Sequence, residues 1–433
     1  MQYFLKTALT LLVILDIYSL KAEYPDYEIT INGSPYPEKL FIHSMSSVNP
    51  HIGILNPDLS LHWNINCGDQ GFDFRENNGK LSYYDKISQF WIIANSNMSE
   101  IDTLSCINNA RTDYHDIRLL NNGGYILQGY DSLWIDMSEI VEGGHPFALL
   151  RDILVIQEFD SNDNLILEWR ADDYLDILNY SDYLDLTSFE ITWMHGNSIE
   201  VDDDNNLLLS NRTNNEIIKI DRTTGDIIWI MGGPLNEFTF IDDPLHGFNK
   251  QHDVRRIENG NITLFDNGTQ HEPMLSRAVE YQIDEFNKTA TLIWAYNHPD
   301  NIAAMSMGSV QRLPNQNTLI NWGFFFETNM MDTGALIMEV DYDKNIVFEL
   351  AYPVNYHTYR VRKSNWDFTI NLVPGDANLD NTVDIIDCVY LVNNILNPDD
   401  RNYTLFDRHK LDLNTDGDIN ILDITAIINI ILN

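Results

Sequence analysis

Only three of the 433 residues are cysteine, too few for a disulfide framework. Cys67 and Cys106 can pair in an oxidising compartment, and their spacing does not decide it. Cys388 falls in an apolar helical run and is expected to be buried. Basic residues are scarce too: 26 Lys and Arg stand against 65 Asp and Glu, a formal net charge of −39. That balance argues against nucleic-acid binding, which needs basic patches against phosphate. It suits a secreted protein in salty or calcium-containing water, where charge is screened and aids solubility. No segment beyond the N-terminus is apolar enough to span a membrane. The early run Ala8 to Leu15 follows Lys6 and precedes a suitable cleavage position at Ala22. Residues 1–22 therefore read as a signal peptide, although Asp16 and Lys21 weaken the pattern.

Amphipathic helix is sparse between Tyr27 and Ile370. Two strand signals repeat there instead. One is a short apolar strand, usually after an Asn-Gly or Asn-Asn turn, as at Tyr125, Leu207, Ile262 and Thr318. The other is a strand ending near Trp, at Trp63, Trp91, Trp169, Trp229 and Trp294, with Phe348 in the last copy. From Trp169 to Phe348 the spacing is 54 to 65 residues. A period of that length, four strands per unit, is the mark of a β-propeller. Six copies predict an all-β, six-bladed propeller over residues 23–370 that must close into a ring to bury its edges. The Asp- and Leu-rich stretch Met137 to Tyr183 is expected to form a helix or long loop on one face.

A histidine recurs within this repeat. His115-Asp116 and His252-Asp253 each open an apolar-polar alternation that ends in an Asn-Gly turn and a strand. His195 begins a looser copy, and Gly308 stands at the same place in a fourth. The spacing puts the histidines just before the inner strands of blades 3, 4 and 5, converging on one mouth of the channel. Arg212 is expected to follow the inner strand of blade 4. Asn197 lies two residues after His195. Three readings of the histidines compete: blade-stabilising hydrogen bonds, a three-His zinc site, and a reactive cluster. Their restriction to consecutive blades favours the last. Asp116 and Asp253 read as structural. His145, His246, His271, His298 and His357 lack repeat context and read as surface or loop residues, with His246 near the mouth.

From Pro374 the pattern changes to two loop-helix copies 36 residues apart. The first loop offers Asp376, Asn378, Asp380, Asp384 and Asp387, with the Thr382 carbonyl. The second offers Asp412, Asn414, Asp416, Asn420 and Asp423, with Asp418. Oxygen ligands at this spacing suit Ca²⁺, which takes six to eight of them. The pair resembles a type I dockerin, spanning 371–433: a small α-helical module with two EF-hand-like calcium loops. The resemblance implies two Ca²⁺ ions and a cohesin-type protein partner. It would place Ile385-Ile386 and Ile421-Leu422 at the binding face.

The set DYHDIRLLNNGGYIL, HGN with the Arg of SNR, WIMGG and QHDVRRIENGNITLFDNG resembles the bacterial arylsulfate sulfotransferases over about 35–365. That resemblance implies a secreted or periplasmic six-bladed propeller moving a sulfuryl group from a phenolic sulfate ester to a phenol. The route would be a sulfohistidine, without a nucleotide sulfate donor and without a cofactor in the propeller. It implies His252 as nucleophile, with His115, His195, Arg212 and Asn197 around the sulfuryl group. The residue types fit: neutral imidazole is a nucleophile, and guanidinium stabilises anionic oxygens. Two other readings stay open. One is a non-catalytic propeller binding glycans or aryl sulfates in a polysaccharide-degrading complex. The other is a sulfate-ester hydrolase.

Overall fold

In the computed structural model the described residues are 24–96, 98–325, 333–367, 373–378, 380, 382–396, 404–414 and 418–432. The signal-peptide reading, both domain boundaries and Asp416 lie outside them. No helix among the described residues is long and apolar enough to cross a membrane.

Six sheets, each built on four antiparallel strands, form the expected propeller; short strands Glu190–Thr192 and Thr239–Ile241 add in parallel to blades 3 and 5. Their inner strands are Arg362–Ser364, Phe72–Asn77, Arg111–Leu119, Gly196–Val201, His252–Arg256 and Ser309–Arg312, for blades 1 to 6. The ring closes twice. The late strand Arg362–Ser364 is the inner strand of blade 1, against Lys39–Ser44. The early strand Glu28–Ile31 adds to the outer edge of blade 6, against Ile346–Pro353. Each join pairs backbone groups that an open ring would leave as unpaired edges.

The Trp-bearing strands are the outer strands of blades 1, 3, 4 and 5; Trp91 is on the third strand of blade 2. Trp91, Trp169, Trp229 and Trp294 are buried, and Phe348 takes the equivalent place in blade 6. Alternation along each strand sends one side-chain set into the seam with the next blade, as in the cluster joining Ile126 and Ile156 of blade 3 to Ile199 and Ile218 of blade 4. Each such side chain contributes about 1.5–3 kcal/mol when fully buried. The insertion in blade 3 contains short helical turns at Met137–Glu139, Ala171–Tyr174 and Ile177–Tyr180. The outer strand Leu165–Arg170 also runs through it, so it is only partly a loop.

Cys67 and Cys106 are free thiols, so the pairing considered for them does not form. Cys67 packs in the core cluster shared with Ile52. Cys106 Sγ instead points at the Gln128 carbonyl, 3.6 Å away. Cys388 is buried in helix Ile385–Leu396. His298 is a core residue, not a surface one: it is 4% exposed and packs edge-on to Trp322.

After the propeller come helices Ile385–Leu396, Leu405–Leu411 and Ile421–Leu432. The first and third bury Leu391 against Ile424 and Ile427. The middle one docks on the propeller: Phe406 packs against Trp63 and Tyr83, and the Leu405 N–H donates to Glu100 at 3.2 Å.

Candidate functional site

The inner strands are not regular ladders. In blades 2, 3 and 5 the register shifts between Phe72 and Arg75, between Thr112 and Ile117, and between His252 and Arg255. Asp73 and Asp253 sit at positive φ there, 55° and 61°. Such bulges bend a strand and re-aim its side chains. His115 therefore lies within its strand, and His252 is the first residue of its own. Only His195 precedes its strand as expected.

The pairing identifies equivalent positions. Ile117, Ile199 and Val310 pair with Leu127, Leu209 and Ile320. Two residues before that anchor stand His115, Asn197 and Gly308; His252 has the same place in blade 5. Asn197, and not His195, is thus the blade 4 counterpart of the two histidines. His195 reaches the cluster from beyond its strand. Arg212 follows Leu207–Asn211, which is the second strand of blade 4 and not the inner one.

The expected residues come together. The rings of His115 and His195 are 4.5 Å apart. Tyr359 lies 5.5 Å from His115 and 6.4 Å from His252. His252 is 3% exposed. Its Nδ1 is 2.7 Å from Asn267 Oδ1. The Asn267 amide nitrogen donates to the carbonyls of Ala304 and Met307, at 3.1 and 2.9 Å. Asn267 Oδ1 must therefore accept, which puts the proton on Nδ1 and leaves the lone pair on Nε2. Nε2 accepts a 3.2 Å bond from the Met307 N–H. Burial, then the Arg212 charge, holds the His252 pKa well below its ordinary value, so the ring is neutral.

His115 differs. Its Nδ1 lies 2.9 and 2.8 Å from the two oxygens of Asp113. Burial pushes Asp113 up, but His115 more than offsets this and the carboxyl titrates low. Gln128 donates to Asp113 at 2.6 Å and to the Gly196 carbonyl at 2.8 Å. A side chain at 196 would strike the Gln128 amide, with a Cβ only 2.5 Å from its oxygen, so Gly196 permits this crossing. Burial and neighbouring His115 push His195 down to about 3.

Arg212 donates to the Met305 carbonyl at 2.9 Å, while its Nε is buried without a hydrogen-bond partner among the described residues. Lys250 donates to the Thr213 carbonyl at 2.7 Å; burial, with Arg212 nearby, lowers it to about 8. Asn197 donates to the Gln251 carbonyl at 2.7 Å, and its buried Oδ1 also lacks a partner among those residues.

Asp116 and Asp253 do not enter the cluster chemistry. With Asp73 they form a buried ion network with Arg75, Arg255, Arg360 and Arg362. Two cavities, about 440 and 530 Å³, lie at the other end of the inner strands. One is lined by Arg256 and Arg312, the other by Arg118 and Arg222. Neither holds the histidines. Chemistry, and not cavity size, locates the site.

Sequence reasoning missed Asp113, Gln128, Asn267, Lys250 and Tyr359. Asp113 and Lys250 stand two residues before His115 and His252. Gln128 lies within the long second strand of blade 3, Tyr125–Ile135, and Asn267 just beyond that of blade 5, Ile262–Asp266. Tyr359 carried no signal: it arrives with the strand that closes the ring.

A buried neutral imidazole whose lone pair meets only a 3.2 Å backbone N–H, an imidazole-carboxylate pair, and cations with no carboxylate in ion-pair contact among the described residues together make a site for transferring an anionic group. The arylsulfotransferase (ASST) family model matches residues 68–360, more than half of the chain, and the chain belongs to that family. The family makes it a sulfotransferase, with an aryl sulfate donor and a phenol acceptor implied. No curated protein matches it. Among solved structures, a Bacteroides caccae protein of unknown function aligns at 12% identity, covering 76% of this chain and 99% of its own, with TM-score 0.47. A catalytically inactive virginiamycin B lyase from Staphylococcus aureus aligns at 10% identity over 76% and 89%, with TM-score 0.38. Likenesses this remote carry no functional argument.

Proposed function

We propose that this chain moves a sulfuryl group from a phenolic sulfate ester to a phenol through a sulfated His252, with no nucleotide donor. The observation that carries this is the tautomer of His252, fixed by Asn267, which leaves Nε2 with a lone pair. Nε2 gives up the long Met307 bond and attacks sulfur. The S–O bond to the aryl group breaks, and the leaving oxygen keeps the electron pair. His115, hydrogen-bonded through Nδ1 to Asp113, supplies that oxygen with a proton. In the second half an incoming phenol attacks sulfur and returns its proton to His115. The N–S bond breaks, and Nε2 recovers its lone pair. Arg212, and the second N–H of the Asn197 amide, would donate to the sulfuryl oxygens, and electrostatic stabilisation of such oxygens is commonly the largest catalytic term. His195, whose pKa burial pushes down to about 3, is neutral and a poor proton donor near neutral pH.

Incubation with p-nitrophenyl sulfate, with and without phenol, tests this. Release that depends on phenol supports transfer. Release into water indicates a hydrolase, and no release indicates a binding protein. Unmodified His252 after donor alone would sink the covalent route.

The C-terminal module is proposed to be a type I dockerin binding two Ca²⁺ ions and a cohesin-type partner, on a secreted or cell-surface protein. The donor chemistry fits. Asp387 is fully buried, its oxygens facing the N–H groups of Asn378 and Asp384, at 3.1 and 2.8 Å. Asp423 is as buried, facing the N–H groups of Leu413 and Asn420, each at 2.8 Å. An inward carboxylate at the twelfth position of each loop supports this reading. Ile385, Ile386, Ile421 and Leu422 are exposed, which suits an apolar partner face. Cohesin binding retained in chelator would contradict this reading.

A further inference from the structure

A lysine without a carboxylate in ion-pair contact among the described residues stands on the rim, one ring away from His115. Lys86 follows the second strand of blade 2, at the end where Phe72 pairs with Tyr84. It is solvent-exposed, and among the described residues no carboxylate lies within ion-pair distance of its ammonium. Its Nζ instead lies 4.7 Å from the Phe72 ring centre and 5.4 Å from that of Tyr114. Tyr114 stacks on His115 with ring centres 4.2 Å apart. Phe72 meets Tyr114 at 4.7 Å and Tyr359 at 4.9 Å. A continuous chain of ring contacts therefore runs from the histidines to Lys86, with Tyr114 its half-buried member. Arg212 and Lys250 hold the other side, beside His195 and His252.

We infer that Lys86 is a specificity-determining residue for aryl substrates carrying an anionic group, such as a carboxylate, opposite the reacting oxygen. This rests on the sulfotransferase reading above. An aryl ring with its sulfuryl group at His252 lies along Tyr114 and directs its far substituent to Lys86. Tyr114 supplies the face for ring stacking. A chain of net charge −39 repels such a dianion at long range. A fixed cation at the rim offsets that repulsion for the correct ring alone.

The test compares phenol with 4-hydroxybenzoate by ligand-observed NMR titration of the full chain, native and Lys86→Met. The native protein prefers 4-hydroxybenzoate, and the variant loses roughly fivefold of that preference, the scale of one exposed ion pair. Lys86→Arg retains it. The ratio of kcat/KM for 4-carboxyphenyl sulfate over p-nitrophenyl sulfate falls in parallel. An unchanged preference in Lys86→Met, or native indifference to the carboxylate, overturns the assignment. If the native protein turns over neither ester, the sulfotransferase reading fails, while the binding ratio still decides the role of Lys86.

Discussion

His252 Nδ1 and Asn267 Oδ1 lie 2.7 Å apart, and the Asn267 amide is pinned by two carbonyls. One neutral side chain thereby selects the tautomer of the candidate nucleophile. Asn267→Ala frees the ring to flip and leaves Nδ1 unpaired. Transfer from p-nitrophenyl sulfate should fall by roughly 10- to 100-fold, matching a lost buried partner of about 1–3 kcal/mol. Thermal unfolding run alongside checks that the fold survives.

Asp113 serves His115. Asp113→Asn removes the carboxylate that His115 Nδ1 contacts at 2.8 Å, so the penalty should depend on the leaving group. Phenyl sulfate, with a basic leaving oxygen, should slow by roughly 100-fold or more, the scale of general acid catalysis. p-Nitrophenyl sulfate should slow much less. Initial rates across substituted phenyl sulfates measure the difference; equal losses would remove His115 from the proton path.

The pH dependence of stability has a definite sign. Burial lowers His195 to about 3 and holds His252 well below its ordinary value near 6.5. The unfolded chain therefore binds more protons between about 3 and 6.5. Each ring's contribution is fully present above 6.5 and is lost as pH falls towards 3. Unfolding midpoints should drop over that window. His195→Gln should show a smaller drop, as read by calorimetry from pH 7 to pH 4.

Asp116 accepts Arg75 at 2.6 Å and Arg255 at 2.8 Å in a fully buried setting. Asp116→Asn removes one buried negative charge from the network, leaving Arg75 with Asp73 and Arg255 with Asp253 and Glu200. The propeller should lose about 3–5 kcal/mol of stability in denaturant titration.

Phe406 ties the C-terminal module to blades 1 and 2 through Trp63 and Tyr83. Phe406→Ala removes a buried ring from that contact. Proteolytic release of the C-terminal module should speed up, while the unfolding midpoint of the propeller stays close to native. Release at the native rate would show that the contact does not hold the module.

Much of this protein was legible in local pattern. Trp169, Trp229, Trp294 and Phe348 recur because each outer strand buries one large side chain against a neighbouring blade. His115 and His252 were visible because the bulged inner strand repeats with its Asp. His195 was misaligned by two residues for the same reason: a bulge changes the count, and only strand pairing restores it. Arg212 was placed after the wrong strand because apolar inner and second strands look alike when both are buried.

The sequence by itself determined the blade period, the ring and the residue types that carry the chemistry, since these follow from alternation and spacing along the chain. Only the tertiary structure decided which atoms face one another. Tyr359 reaches the histidines because the ring closes on itself, and Asn267 holds His252 because adjacent strands of a blade meet at the mouth. Lys86 reaches His115 through rings from two blades. Hydrogen bonds and ring contacts act over a few ångströms in space, and separation along the chain does not enter them.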